Sequence, residues 1–130
     1  MLATADHVFG EGGLERLLAA GEPAVLVDLA PDRAAWAEGT RVRVVDGAVV
    51  AFGKHLEEPA IDCGAFLLPP EVFGCQRQVA AEGDHSLAGA VTRLAQTRPL
   101  RAVKLPAGCW WQDVDTPRTR GRRRRRCAAR

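Results

Sequence analysis

Apolar residues fall along this chain in short blocks with two distinct spacings. Residues 24–28, Ala-Val-Leu-Val-Asp, form a continuous apolar run rich in β-branched side chains, which predicts a strand buried on both faces. Residues 41–52 alternate around Asp46-Gly47, the signature of a β-hairpin with a type I′ turn. Residues 60–68 give a further apolar strand, stopped by Pro69-Pro70. Between these blocks the period changes to that of a helix. Leu14, Leu17 and Leu18 mark a short amphipathic helix closed by Gly21, and Ser86 caps a second one through Leu87, Val91, Leu94 and Ala95. Pro99 turns the chain, and Val103, Leu105, Trp110 and Trp111 read as one short buried strand. Residues 1–9 read as the end of a strand leading straight to Asp6. The order strand, helix, strand, hairpin, strand, helix, strand predicts an α/β fold with a mixed, mostly parallel sheet flanked by helices.

Composition limits the classes of protein this can be. A chain of 130 residues builds at most one modest core, and no run of about 18 apolar residues is present to span a membrane. The N-terminus lacks the basic region of a secretory signal, so a cytoplasmic location is expected and no membrane partner. Cys63, Cys75, Cys109 and Cys127 show no Cys-x-x-Cys pair and no His at zinc-ligand spacing, and read as reduced thiols. The net charge of +2 conceals two halves of opposite sign. All 16 acidic residues lie in residues 1–117 with 10 Lys and Arg, a net of −6, whereas residues 118–130 carry 8 Arg and no acid. That tail has no apolar periodicity and is expected to be disordered. An Arg run can bind RNA by counterion release, but no aromatic or groove-reading element accompanies it, so nucleic acid is not expected as the partner.

Several residues could carry chemistry. Asp113-Val114-Asp115 places two carboxylates beyond a strand end, where Mg²⁺ ligands are found in open α/β sheets; taken alone, Asp115 with Thr116-Pro117 is the more usual pattern of a helix cap. Gly10-Glu11-Gly12-Gly13 has neither the spacing nor the Lys of a phosphate loop and reads as a plain loop. Asp28 is either a ligand or a turn former. Lys54, just past the hairpin, has the pattern of a solvated edge charge, and Asp62 inside an apolar stretch requires hydrogen-bond donors.

Four fragments taken in order, Ala5-Asp6-His7-Val8-Phe9, Asp46-Gly47 through Gly53-Lys54, Ile61-Asp62-Cys63-Gly64-Ala65-Phe66, and Trp110-Trp111-Gln112-Asp113-Val114-Asp115-Thr116-Pro117, resemble the C-terminal half of a sugar-phosphate nucleotidyltransferase domain, a Rossmann-like fold of the GT-A type. The pattern is closest to the inositol-1-phosphate cytidylyltransferases and spans residues 1–117. The resemblance implies a Mg²⁺-dependent transfer of a nucleotidyl group from a nucleoside triphosphate, CTP by analogy, to a sugar or polyol phosphate, with release of pyrophosphate. It implies Asp6 as a metal-binding Asp at the end of a central strand, and Asp115 with Asp113 as the second metal contact. It further implies Lys54 beside the substrate phosphate, Asp62 and Gly64 lining the sugar or polyol pocket, and His7 supporting Asp6 within that pocket. Asp6, Lys54 and Asp115 are thus the expected catalytic residues.

Two departures from the family pattern qualify these expectations. The Gly-rich nucleotide loop that opens the family's domain has no counterpart here, and the Arg run replaces an acidic helix after Pro117. A chain of this kind is expected to be weakly active or inactive alone, the alternatives being a non-catalytic remnant, a subunit that completes another chain, or a basic-tailed RNA-associated protein. An exposed side of the sheet would then favour self-association.

Overall fold

The computed structural model describes residues 1–4 and 6–113. Asp115 and the Arg-rich residues 118–130, for which a metal contact and disorder are expected, lie outside the described residues. The chain order is β1 (Leu2–Ala3), β2 (His7–Phe9), α1 (Gly13–Ala20), β3 (Ala24–Asp28), α2 (Arg33–Glu38), β4 (Arg41–Val45), β5 (Ala48–Gly53), β6 (Ile61–Leu67), α3 (Glu71–Ala81), α4 (Leu87–Thr97), β7 (Arg101–Lys104) and β8 (Trp111–Asp113).

The main sheet runs β1-β6-β3-β7-β5-β4, and β4 returns to pair with β6 at Arg41 and Ile61. The main-chain bonds Val42 N–H to Ala60 O (2.9 Å) and Asp62 N–H to Thr40 O (3.1 Å) complete that closure. The result is a mixed sheet curled on itself, with β1 outside on the edge of β6. The expectation of a mostly parallel sheet is corrected. Among the described residues only β3 and β7 pair in parallel; the other pairings are antiparallel. A two-residue turn forces β4 and β5 antiparallel, whereas β1 and β3 reach β6 through long passages that permit either direction, and both run antiparallel to it.

The apolar runs become the core. Ala24, Val25, Leu26 and Val27 of β3 are fully buried, because both faces of that strand are covered. On one face Val25 and Val27 meet Val42, Val49, Phe52 and Phe66 under Val91 of α4, with Val72 of α3 packed alongside. On the other, Ala24 and Leu26 meet Cys63, Ala65 and Leu67 under Leu17 of α1. Both faces of β3 are thereby covered, and the outer edge of β1 has no partner strand among the described residues.

The hairpin forms as expected, with Asp46 and Gly47 both at positive φ (51° and 77°) in the turn. Other elements depart from the sequence pattern. Residues 1–9 form two strands in different sheets rather than one. The expected strand through Val103, Leu105 and the Trp pair is broken by Pro106-Ala107-Gly108. Its first part pairs with β3 as β7; its second, β8, pairs antiparallel with β2 in a separate ribbon, with His7 opposite Asp113, Val8 opposite Gln112 and Phe9 opposite Trp111. Helices α2 and α3 were not anticipated. Asp32 caps α2, its carboxylate accepting from Ala35 N–H at 2.8 Å.

Candidate functional site

A cavity of about 1200 Å³ opens where the ends of β3 and β6 meet the β2–β8 ribbon. Its wall includes His7, Asp28, Lys54, Asp62, Gly64 and Asp113. These residues lie far apart in the chain, and the fold gathers them.

Asp62 is set by its own strand. Its Oδ1 accepts the Gly64 N–H at 2.8 Å, a two-residue loop-back that requires Gly64 to leave the extended region, at φ 76°. A Cβ at that position would lie 2.3 Å from Thr4 Oγ1 and 3.1 Å from the His7 ring. Gly64 therefore permits two things at once: the turn that holds Asp62, and the close approach of residues 4–7 to β6. The N-terminal segment is tied there by Thr4 N–H to Gly64 O, at 2.9 Å. Burial pushes the Asp62 carboxyl from its ordinary 3.8 up to about 6, against the opposing influence of the Gly64 N–H and of His7.

His7 is held on three sides. Asp6 Oδ1 lies 2.8 Å and Thr4 Oγ1 2.5 Å from its Nδ1, and its ring stacks on Trp111 with centroids 5.3 Å apart and planes 9° from parallel. The Asp6 and His7 side chains are thus in direct contact. Asp6 itself departs from the family pattern. It follows edge strand β1 rather than ending a central strand, and it lies outside the cavity wall that His7 joins. Asp113 lines the cavity and sits opposite His7 in the ribbon, so Asp6 and Asp113 come to the same end of it.

Lys54 is exposed, in the turn after β5, and its carbonyl oxygen accepts from Arg41 Nη1. That arginine carries no signal in the sequence pattern, yet it is buried. Its guanidinium lies 3.8 Å over the Trp36 ring, and Trp36 Nε1 donates to Glu58 O at 2.7 Å. The group fastens the Lys54 turn to α2 along one rim of the cavity. Asp28, which the sequence left between ligand and turn former, does form the turn, accepting from Ala30 N–H at 3.1 Å. It also lines the cavity and accepts from Trp111 Nε1 at 2.9 Å.

Burial, with Asp28 and Asp62 nearby, pushes the Cys63 thiol well above its ordinary value, which disfavours the thiolate. Among the described residues there is no gathering of three or more His, Cys, Asp or Glu side chains able to hold a metal, and Cys63, Cys75 and Cys109 form no disulfide. No helix among the described residues is long and apolar enough to cross a membrane.

This mixed, curled sheet with helices on its faces is an α/β fold shared with solved structures. The inositol-1-phosphate CTP transferase of T. maritima superposes with a TM-score of 0.75 over 90% of this chain and 49% of its own, at 18% identity. The UTP-bound UGPase of Acinetobacter baumannii superposes with a TM-score of 0.69 over 90% and 46%, at 14% identity. In sequence, the chain is homologous to the bifunctional IPC transferase and DIPP synthase of Rubrobacter xylanophilus (36% identical over 121 residues) and to that of Archaeoglobus fulgidus (32% over 117). These matches take in 90% and 89% of this chain, but it spans only 27% and 22% of those two curated relatives. No family model matches the chain.

Proposed function

We propose that this chain forms the acceptor-side part of a nucleotidyltransferase domain. The reaction transfers a nucleotidyl group from a nucleoside triphosphate, CTP by analogy with the T. maritima structure, to a polyol or sugar phosphate of the inositol 1-phosphate kind. A phosphate oxygen of the acceptor attacks the α-phosphorus, the new P–O bond forms, and the bond to pyrophosphate breaks. Both partners are anions, so alignment and charge neutralisation are the whole of the task. The observation that carries the reading is that Asp62, Lys54, His7 and Asp113, from separate elements, share one cavity.

In this reading Lys54 neutralises the acceptor phosphate at the rim, and the Asp62 carboxylate takes hydrogen bonds from ring hydroxyls deeper in the wall. Asp6 and Asp113 are the described carboxylates that would hold Mg²⁺, which when bound supplies charge neutralisation at the transferring phosphate. His7 keeps Asp6 oriented. Asp115 belongs to the same expectation.

Titration of the isotopically labelled chain with inositol 1-phosphate, followed by NMR, tests the reading without requiring turnover. Amide shifts at Lys54 and Gly64 are expected, with affinity falling about tenfold in Asp62→Asn, the equivalent of about 1.4 kcal/mol. No perturbation of the cavity up to roughly millimolar ligand would remove it. Pyrophosphate release on adding CTP and Mg²⁺ then separates an active domain from a chain that binds the acceptor without turnover.

A further inference from the structure

We propose that Trp111 is a positioning residue that locks the β2–β8 ribbon to the end of β3, fixing His7 and Asp28 relative to each other across the cavity wall. The ribbon has two strands of three residues each, and a two-stranded ribbon is barely stable alone. Its attachment is therefore what determines where its polar groups point. Trp111 makes that attachment with both parts of its side chain. The indole Nε1–H donates to Asp28 Oδ2 at 2.9 Å, while the ring face lies flat against the His7 imidazole. Trp111 also packs on the core cluster under α1, as do Phe9 and Leu105. Each partner is held again from its other side. Asp28 Oδ1 takes the Ala30 N–H, and His7 Nδ1 lies against Asp6 and Thr4. A shift of the indole would consequently move His7 and Asp28 together, and with His7 the Asp6 carboxylate.

The consequence for acceptor binding rests on the reading above; the anchoring stands on the geometry alone. The test compares Trp111→Phe, which keeps an aromatic face but deletes the N–H, with Asp28→Asn and the wild-type chain. Hydrogen exchange of ribbon amides is expected to speed up at least about tenfold in both variants while the amides of β3 keep their protection, because only a local opening has been made easier. In the same variants the dissociation constant for inositol 1-phosphate is expected to rise about tenfold with the urea midpoint little changed. Unchanged ribbon protection in both variants would overturn the proposal. So would ribbon and β3 amides losing protection together, since that is what a purely structural tryptophan would give. If Trp111→Phe does not fold, Asp28→Asn decides. Failure of the wild-type chain to bind inositol 1-phosphate would remove the acceptor reading, and the exchange data would still decide the anchoring.

Discussion

Strand β3 and the β2–β8 ribbon bound the same cavity but are built in opposite ways. Four consecutive residues of β3 are completely buried, with partner strands on both edges and a core cluster on both faces. In the ribbon every residue keeps some exposure, and Val8 is 38% exposed. Position in β3 is over-determined by packing. In the ribbon it depends on a few directed contacts, among them Trp111 to Asp28 and Thr4 to Gly64. Of the residues that line the cavity, His7 and Asp113 are thus carried on the thin element, and the thick one supplies the fixed reference.

The comparison is broken most severely by cutting into the thick element. Leu26→Ala leaves a cavity under α1 at a fully buried position and should cost about 3–4 kcal/mol, within the usual range for such truncations. Val8→Ala in the ribbon should cost under about 1 kcal/mol. Urea denaturation of both measures the contrast, and similar losses would show that the ribbon is as firmly packed as the sheet.

Gly64 joins the two regions, so its substitution should disturb both. Gly64→Ala forces a side chain into the left-handed region and against Thr4 Oγ1, and should cost about 2 kcal/mol. It should also displace His7, visible as altered ribbon amide shifts. A loss of stability with an unmoved ribbon would show that β6 absorbs the strain alone.

Asp62 sharpens the comparison through pH. Its folded pKa of about 6 lies above the ordinary 3.8, so the folded state holds the proton more tightly than the unfolded chain does. That contribution is fully present below about pH 4 and is lost as pH rises through 6. Asp62→Asn should therefore flatten the wild-type decline between those values and gain on the order of 1–2 kcal/mol at pH 7, since Asn still accepts from Gly64. Parallel stability curves for the two proteins would place Asp62 in a wetter setting than its burial implies.

How much of this could be read from the sequence follows the same division. Strand β3, the hairpin and α4 were legible because their patterns report burial, and burial is what forms them. Helix α3 has a usable signal, with Val72, Cys75 and Val79 at helical spacing after Pro69-Pro70. Site residues were legible as residue types at element ends: Asp62, Lys54, His7 and Asp113 do line one cavity. Their assembly was not. Nothing local in Trp110-Trp111 says that the chain breaks at Gly108 to build a separate ribbon, or that one indole reaches back 83 positions to Asp28. Arg41 was equally silent, since its place is defined by Trp36 and the Lys54 carbonyl rather than by its neighbours in sequence.

The smallest expected effect checks that the contrast is one of packing and not of charge. Arg43 Nε donates to Glu58 Oε1 at 2.9 Å across the exposed side of β4, with side chains 48% and 31% exposed. An ion pair this open is screened by solvent, and Gln at position 58 would still accept the hydrogen bond, so Glu58→Gln should change stability by less than about 0.5 kcal/mol. The main chain of Glu58 matters more, because its carbonyl holds Trp36 and through it Arg41 and the Lys54 turn. Thermal melts at low and high salt measure the side-chain contribution directly. A cost above about 1 kcal/mol that vanishes in salt would mean that the Lys54 rim is held electrostatically, and that this wall of the cavity, like the ribbon opposite, depends on directed contacts rather than on burial.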